Sequence, residues 1–173
     1  MPPTIGSAFF GIQETKIDSQ YRIPLIADVI DARSTKDNLH QDLRVVPSPD
    51  GRYIDVFIIN TFNAYFNRFI NRKDISPEER EAAINGYFSK AQLATVDNSN
   101  RMTIPKPFRD MFKGAKRIVL QGRGFMMRVM TEPQWTQVEQ ESTGKVLPLM
   151  SRIENTIYMS SDDDDETIEP EET

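Results

Sequence analysis

The sequence predicts an α+β protein built from two related halves, and three observations lead there. Asp18-Ser19-Gln20-Tyr21-Arg22 returns as Asp97-Asn98-Ser99-Asn100-Arg101, so an Asp-x-x-x-Arg unit recurs 79 positions on. Each unit is followed by an apolar triplet at i, i+3, i+4, namely Ile26, Val29 and Ile30, then Phe108, Met111 and Phe112, which suits one face of a short helix. Each half also carries short apolar runs of strand length bounded by turn residues.

Taken in order, Phe9-Phe10-Gly11 opens a strand through Ile12, Thr15 and Ile17 that stops at Asp18. The polar stretch 31–44 reads as a loop, and Pro47-Ser48-Pro49-Asp50-Gly51 as a turn. Residues 53–59 follow as a buried strand. Phe62, Tyr65, Phe66, Phe69 and Ile70 then form the apolar stripe of a helix. Ser76 before Pro77, with Glu79 at N3, signals a second helix opened by a capping box. Its inner face is Ala83, Ile84, Tyr87, Phe88 and Ala91. Helical spacing assigns these aromatics to core packing in preference to stacking on nucleotide bases.

In the second half, Ile118-Val119-Leu120, a Gly122-Arg123-Gly124 turn and residues 125–130 read as a hairpin. Beyond Trp135, the residues Val146, Leu147, Leu149, Met150 and Ile153 suggest one more helical or docking segment, interrupted by Pro148. The expected division is an extension at 1–8, a first domain at 9–60, a helix pair at 61–90, a second domain at 91–138, a C-terminal segment at 139–159 and a disordered acidic tail at 160–173. With 173 residues and 38% hydrophobic content, two small cores are expected in place of one large one.

The net charge of −5 conceals a division of sign. Eight acids lie between Asp162 and Glu172 with no base among them, and without them 18 acids face 21 bases. The body is mildly basic and the tail a solvating segment. The bias is strongest in the second half, where Arg101, Lys106, Arg109, Lys113, Lys116, Arg117, Arg123 and Arg128 surround a single acid, Asp110. That pattern points to an anionic partner.

A repeated Asp-x-x-x-Arg has a physical use. Aspartate at a strand end accepts hydrogen bonds from the turn amides that follow and orients the arginine four residues on. Arginine held in this way is a preorganised fork for phosphate oxygens or for the O6/N7 edge of guanine. One copy alone reads as a surface ion pair of about 0–1 kcal/mol. Two copies in matching contexts carry more weight than one.

The order Phe10-Gly11, Asp18 to Arg22, Tyr87-Phe88-Ser89-Lys90-Ala91, Asp97 to Arg101 with Ile104-Pro105 and Arg109, Val119-Leu120-x-Gly122 and Trp135 resembles the MraZ family over roughly residues 9–138. That resemblance implies two tandem SpoVT/AbrB-type β-barrel-like domains with short helices. It further implies a bacterial transcriptional regulator that assembles into a ring and reads repeated double-stranded DNA sites upstream of a division and cell-wall gene cluster. In that family the loops face DNA, which carries over to Asp18, Arg22, Asp97 and Arg101. Lys106, Arg109, Lys113 and Lys116, outside the loops, are expected to join them as phosphate contacts.

Two departures from the family pattern bear on the first copy. The helical stripe begins four residues after Arg22, at Ile26, but seven after Arg101, at Phe108, so the first copy reads as three residues shorter. Gln20-Tyr21 and Ser99-Asn100 stand where the family carries a basic residue and glycine. Asn100 suits a left-handed conformation, whereas Tyr21 adopts it only at a cost. Arg101 is therefore the foremost candidate. The alternative expectation is a ring-forming structural protein that has kept the fold and lost DNA readout.

Other classes lack their constellations. His40, the single histidine, sits in a polar loop with no partner at ligand or triad spacing, and Gly122-Arg123-Gly124 lacks the third glycine of a dinucleotide fingerprint. No enzyme activity, cofactor, metal or small-molecule substrate is expected. Cysteine is absent, which excludes disulfides and thiolate metal sites but does not report a compartment. With neither a run of about 18 apolar residues nor a signal-like N-terminus, a cytoplasmic protein with no membrane partner is expected, and the MraZ resemblance implies association with the nucleoid.

Overall fold

The computed structural model describes residues 8–38 and 41–161. Most of the N-terminal extension, His40 and the acidic residues from 162 onward lie outside the described residues; of the tail expected to be disordered at 160–173, Ser160 and Ser161 instead end the last helix and the rest lies outside the described residues. The chain is α+β. Its strands are β1 (Ile12–Thr15), β2 (Arg22–Pro24), β3 (Leu43–Pro47), β4 (Ile54–Ile58), β5 (Gln92–Ala94), β6 (Arg101–Thr103), β7 (Ile118–Gly122) and β8 (Met127–Thr131). Helices α1 (Ala27–Arg33), α2 (Ile59–Ile70) and α3 (Pro77–Gly86) lie in the first 90 residues, and α4 (Glu132–Ser142) and α5 (Val146–Ser161) close the chain. Short 3-10 helices occupy Phe88–Lys90 and Lys106–Phe112.

Six strands form one antiparallel sheet in the order β1-β7-β8-β4-β3-β5, and β2 pairs with β6 in a separate two-stranded ribbon. Segments 9–60 and 91–138 thus supply strands to the same sheet, with β1 against β7, β4 against β8 and β3 against β5. The two separate small cores that chain length suggests do not form by halves. Ile23, Leu43, Val56 and Val29 of the first half share one cluster with Met102, Phe108, Leu120 and Val129 of the second. Short strands bury too little area alone, so each half covers the other's apolar face.

The central strand β4 shows how the faces are divided. Ile54, Val56 and Ile58 enter the shared core, while Phe57 turns to a second, aromatic cluster on the opposite face. There α2 and the 3-10 helix at Phe88 close over the sheet. The Phe88 ring lies 4.9–6.0 Å from Phe62, Tyr65, Phe66, Phe69 and Tyr87. The aromatic stripe is core, as its helical spacing predicts. The Ser76 capping box also forms, with Glu79 N–H donating to Ser76 Oγ at 3.1 Å and Ser76 N–H donating to Glu79 Oε2 at 2.8 Å.

Two elements differ from the sequence expectation. The stretch 31–44 is not a continuous loop, because α1 runs to Arg33 and β3 begins at Leu43. Leu43, Val45 and Val46 are fully buried between β4 and β5, a burial that depends on strands far along the chain. The first repeat is also not shortened. Helix α1 and the 3-10 helix at Lys106 both begin five residues after their arginines, at an offset of 79. The buried pair is Val29 and Phe108, so the apparent gap was an error of helical phase.

Gly122 is required for a steric reason. A Cβ there would lie 2.6–2.7 Å from the backbone of Phe10, where the chain entering β1 passes over β7. Residues from 136 onward form a second compact unit. In its α5, Pro148 sits in the first turn, where no intrahelical N–H is lost, so the helix is not interrupted.

Candidate nucleic-acid interface

The two Asp-x-x-x-Arg units close into loops with the same bonds. In the first, Arg22 N–H donates to Asp18 Oδ1 at 2.8 Å, Gln20 N–H to the same oxygen at 2.9 Å, and Arg22 Nε to Asp18 Oδ2 at 2.6 Å. In the second, the corresponding distances for Arg101 N–H, Ser99 N–H and Arg101 Nε on Asp97 are 3.0, 2.9 and 2.9 Å. Backbone bonds repeat as well, from Tyr21 N–H to Asp18 C=O and from Asn100 N–H to Asp97 C=O, both 3.0 Å. These bonds span at most four residues, so the local sequence is sufficient to specify them.

Both loops turn through a positive φ at the residue before the arginine, 58° at Tyr21 and 55° at Asn100. Asparagine tolerates this region, whereas tyrosine is strained there by about 1–2 kcal/mol. Tyr21 is held in place from outside. Its ring packs on the shared core, its C=O accepts from Ile104 N–H at 2.8 Å, and the Arg109 guanidinium lies over the ring at 5.1 Å.

The ribbon sets the two loops side by side. Arg22 pairs with Thr103, Ile23 with Met102 and Pro24 with Arg101. Ile23 and Met102 are 0% exposed and anchor one face in the core. Alternation along each strand then places Arg22, Pro24, Arg101 and Thr103 together on the other, half-exposed face. Each arginine bonds its aspartate through Nε, which does not consume the two terminal nitrogens that grip a phosphate or read a guanine edge.

Asp18 and Asp97 are both held below the ordinary aspartate range, chiefly by the backbone N–H of Arg22 and of Arg101 respectively, partly opposed by desolvation. A carboxylate whose folded pKa is depressed contributes stability in full above its unfolded value, and loses it as pH falls through the folded value. Both carboxylates are therefore charged at pH 7, and their contribution to the loops is lost only in acid. Carbon-detected titration of the side-chain carboxyls should place both midpoints below about 3.9, the model-peptide value. A midpoint at or above that value in either loop contradicts the bond pattern.

The remaining basic residues separate into two groups. Lys106 and Lys113, at the two ends of the 3-10 helix after the ribbon, are exposed, as are Lys116 and Arg123. Three arginines of the basic stretch are engaged by the protein instead. Arg117 pairs with Glu14 at 3.1 Å and Glu132 at 3.8 Å. Arg109 Nε donates to Ile104 C=O at 2.9 Å. Arg128, counted in the sequence among the residues signalling an anionic partner, makes two bonds to Asp55 at 2.8 and 3.1 Å and covers the Tyr53 ring at 3.6 Å. Sequence reasoning missed this pair, although an acid inside an apolar strand was its signal: such a group is retained only with a partner. Among the described residues, no group of three or more His, Cys, Asp or Glu side chains is arranged to hold a metal ion.

The structure is thus an antiparallel α+β unit that presents duplicated arginine loops side by side on a two-stranded ribbon. Residues 87–156 match the family model described as MraZ protein, putative antitoxin-like, consistent with a member of the MraZ family. No curated protein matches the chain. Among the described residues, no helix is long and apolar enough to cross a membrane.

Proposed function

We propose that this chain is a sequence-specific DNA-binding transcriptional regulator of the MraZ type. It binds repeated sites upstream of its target genes as a ring oligomer, through the loops at Asp18–Arg22 and Asp97–Arg101. The family resemblance points to a division and cell-wall gene cluster as the target and to the nucleoid as its place of action. One observation carries the reading: Arg22 and Arg101 share the outer face of a ribbon whose inner face is anchored by Ile23 and Met102. A two-stranded ribbon fits the major groove, where arginine forks read guanine. Lys106 and Lys113 supply phosphate contacts that fix register. Several modules on one ring gain avidity from spaced sites.

The alternative, a structural ring protein without DNA readout, rests on a shortened first copy and on the acidic tail. The equal helix offsets and matched loop bonds remove the first of these supports, and the tail from 162 onward lies outside the described residues.

The test is binding to duplex DNA from the chain's own upstream region across a salt series, with mass measured in solution with and without that DNA. The logarithm of affinity should fall linearly with that of salt, by about 0.9 per phosphate contacted. Arg101→Ala should lose about 1–3 kcal/mol of affinity. Unchanged affinity in that variant would sink the loop assignment, and a mass that stays monomeric would remove the ring.

A further inference from the structure

We propose that Arg109 acts as a positioning residue for the first loop and not as a phosphate contact. This deepens the DNA-binding reading and rests on it for the effect on affinity. The two copies superimpose in sequence at an offset of 79, which makes Asn100 the counterpart of Tyr21 and Ile30 the counterpart of Arg109. The exchange is concerted. Where the loop carries asparagine, which takes a positive φ readily, the helix carries isoleucine, and Ile30 and Asn100 line a cleft. Where the loop carries tyrosine at φ 58°, the helix carries an arginine that lies over the tyrosine ring.

Arg109 reaches Tyr21 by two routes. Its guanidinium covers the ring at 5.1 Å. Its Nε also donates to Ile104 C=O at 2.9 Å, and the N–H of that same residue donates to Tyr21 C=O at 2.8 Å. The second loop has the backbone half of this arrangement, Leu25 N–H to Asn100 C=O at 3.1 Å, but Ile30 offers neither a cation nor a donor. Arg109 therefore holds the strained residue directly before Arg22. Lysine cannot replace it, because a point ammonium supplies neither the planar stack nor the directed Nε bond.

The test is residue-resolved amide hydrogen exchange on the full chain, for the wild type, Arg109→Lys, Tyr21→Asn and the double variant. In Arg109→Lys the Arg22 amide should exchange about tenfold faster, while the Arg101 amide stays within about twofold. In the Tyr21→Asn background, Arg109→Lys should add no further acceleration, because the strain it opposes is gone. Acceleration of both loops together, or of neither, overturns the proposal.

On upstream duplex DNA, Arg109→Lys should weaken binding about tenfold with the wild-type salt slope. Wild-type affinity in Arg109→Lys, with a slope shallower by about 0.9 in Arg109→Ala, marks a phosphate contact and also overturns it. If the wild type binds no duplex DNA, the regulator reading fails, and the exchange result alone decides the positioning role.

Discussion

Asp55→Ala is expected to lower the free energy of unfolding by about 3–5 kcal/mol, because it leaves the Arg128 guanidinium buried without its counter-charge. Asp55 and Arg128 stand opposite each other in the register of β4 and β8, and their side chains are 5% and 14% exposed. That register is where strands of the two halves meet at the centre of the sheet, so the loss falls on the seam that joins them. Urea unfolding should show a lower midpoint with an unchanged slope. Replacing both partners, as Asp55→Ala with Arg128→Met, should recover most of the loss, since no buried charge remains. A single-variant cost below about 1 kcal/mol would mean that water reaches the pair and that it behaves as a surface bridge.

Arg22→Ala combined with Arg101→Ala is expected to remove sequence-specific DNA binding. Each arginine that reads a base is worth about 1–3 kcal/mol, so two independent readers sum to about 2–6 kcal/mol. The variants are informative because alanine keeps its backbone N–H. The bonds from residues 22 and 101 to Asp18 and Asp97 at 2.8 and 3.0 Å survive, and the loops keep their shape while losing the forks. Competition between the upstream duplex and unrelated DNA at fixed salt measures the effect. If Arg22→Ala binds as well as the wild type while Arg101→Ala does not, the second loop reads DNA alone.

Much of this was legible in the sequence. The Asp-x-x-x-Arg repeat, the Ser76–Glu79 box and the stripe from Phe62 to Ile70 each involve residues a few positions apart, and each formed as its spacing predicts. Where spacing erred, it erred in phase. Ile26 looked like the start of a stripe equivalent to Phe108, but Ile26 lies before α1 and its counterpart is Pro105. A three-residue apolar triplet fixes helical phase poorly when the neighbouring positions are apolar as well. Strand β3 is not legible locally because it follows a polar stretch, ends in proline and gains its burial from β4 and β5.

By itself, then, the sequence determined the α+β class, the duplicated loops and the identity of their arginines, because the groups that make those features lie within one turn of chain. Only the tertiary structure decided that the halves share one sheet and one core, that Arg22 and Arg101 fall on the same face of one ribbon, and which basic residues remain exposed. Lys106 and Arg128 are alike in sequence as cations of one basic stretch. One stays at the surface while the other meets an aspartate 73 residues away. The physical reason is that a charge's role is set by the dielectric and partners around it, and those are supplied by strands the local sequence does not contain.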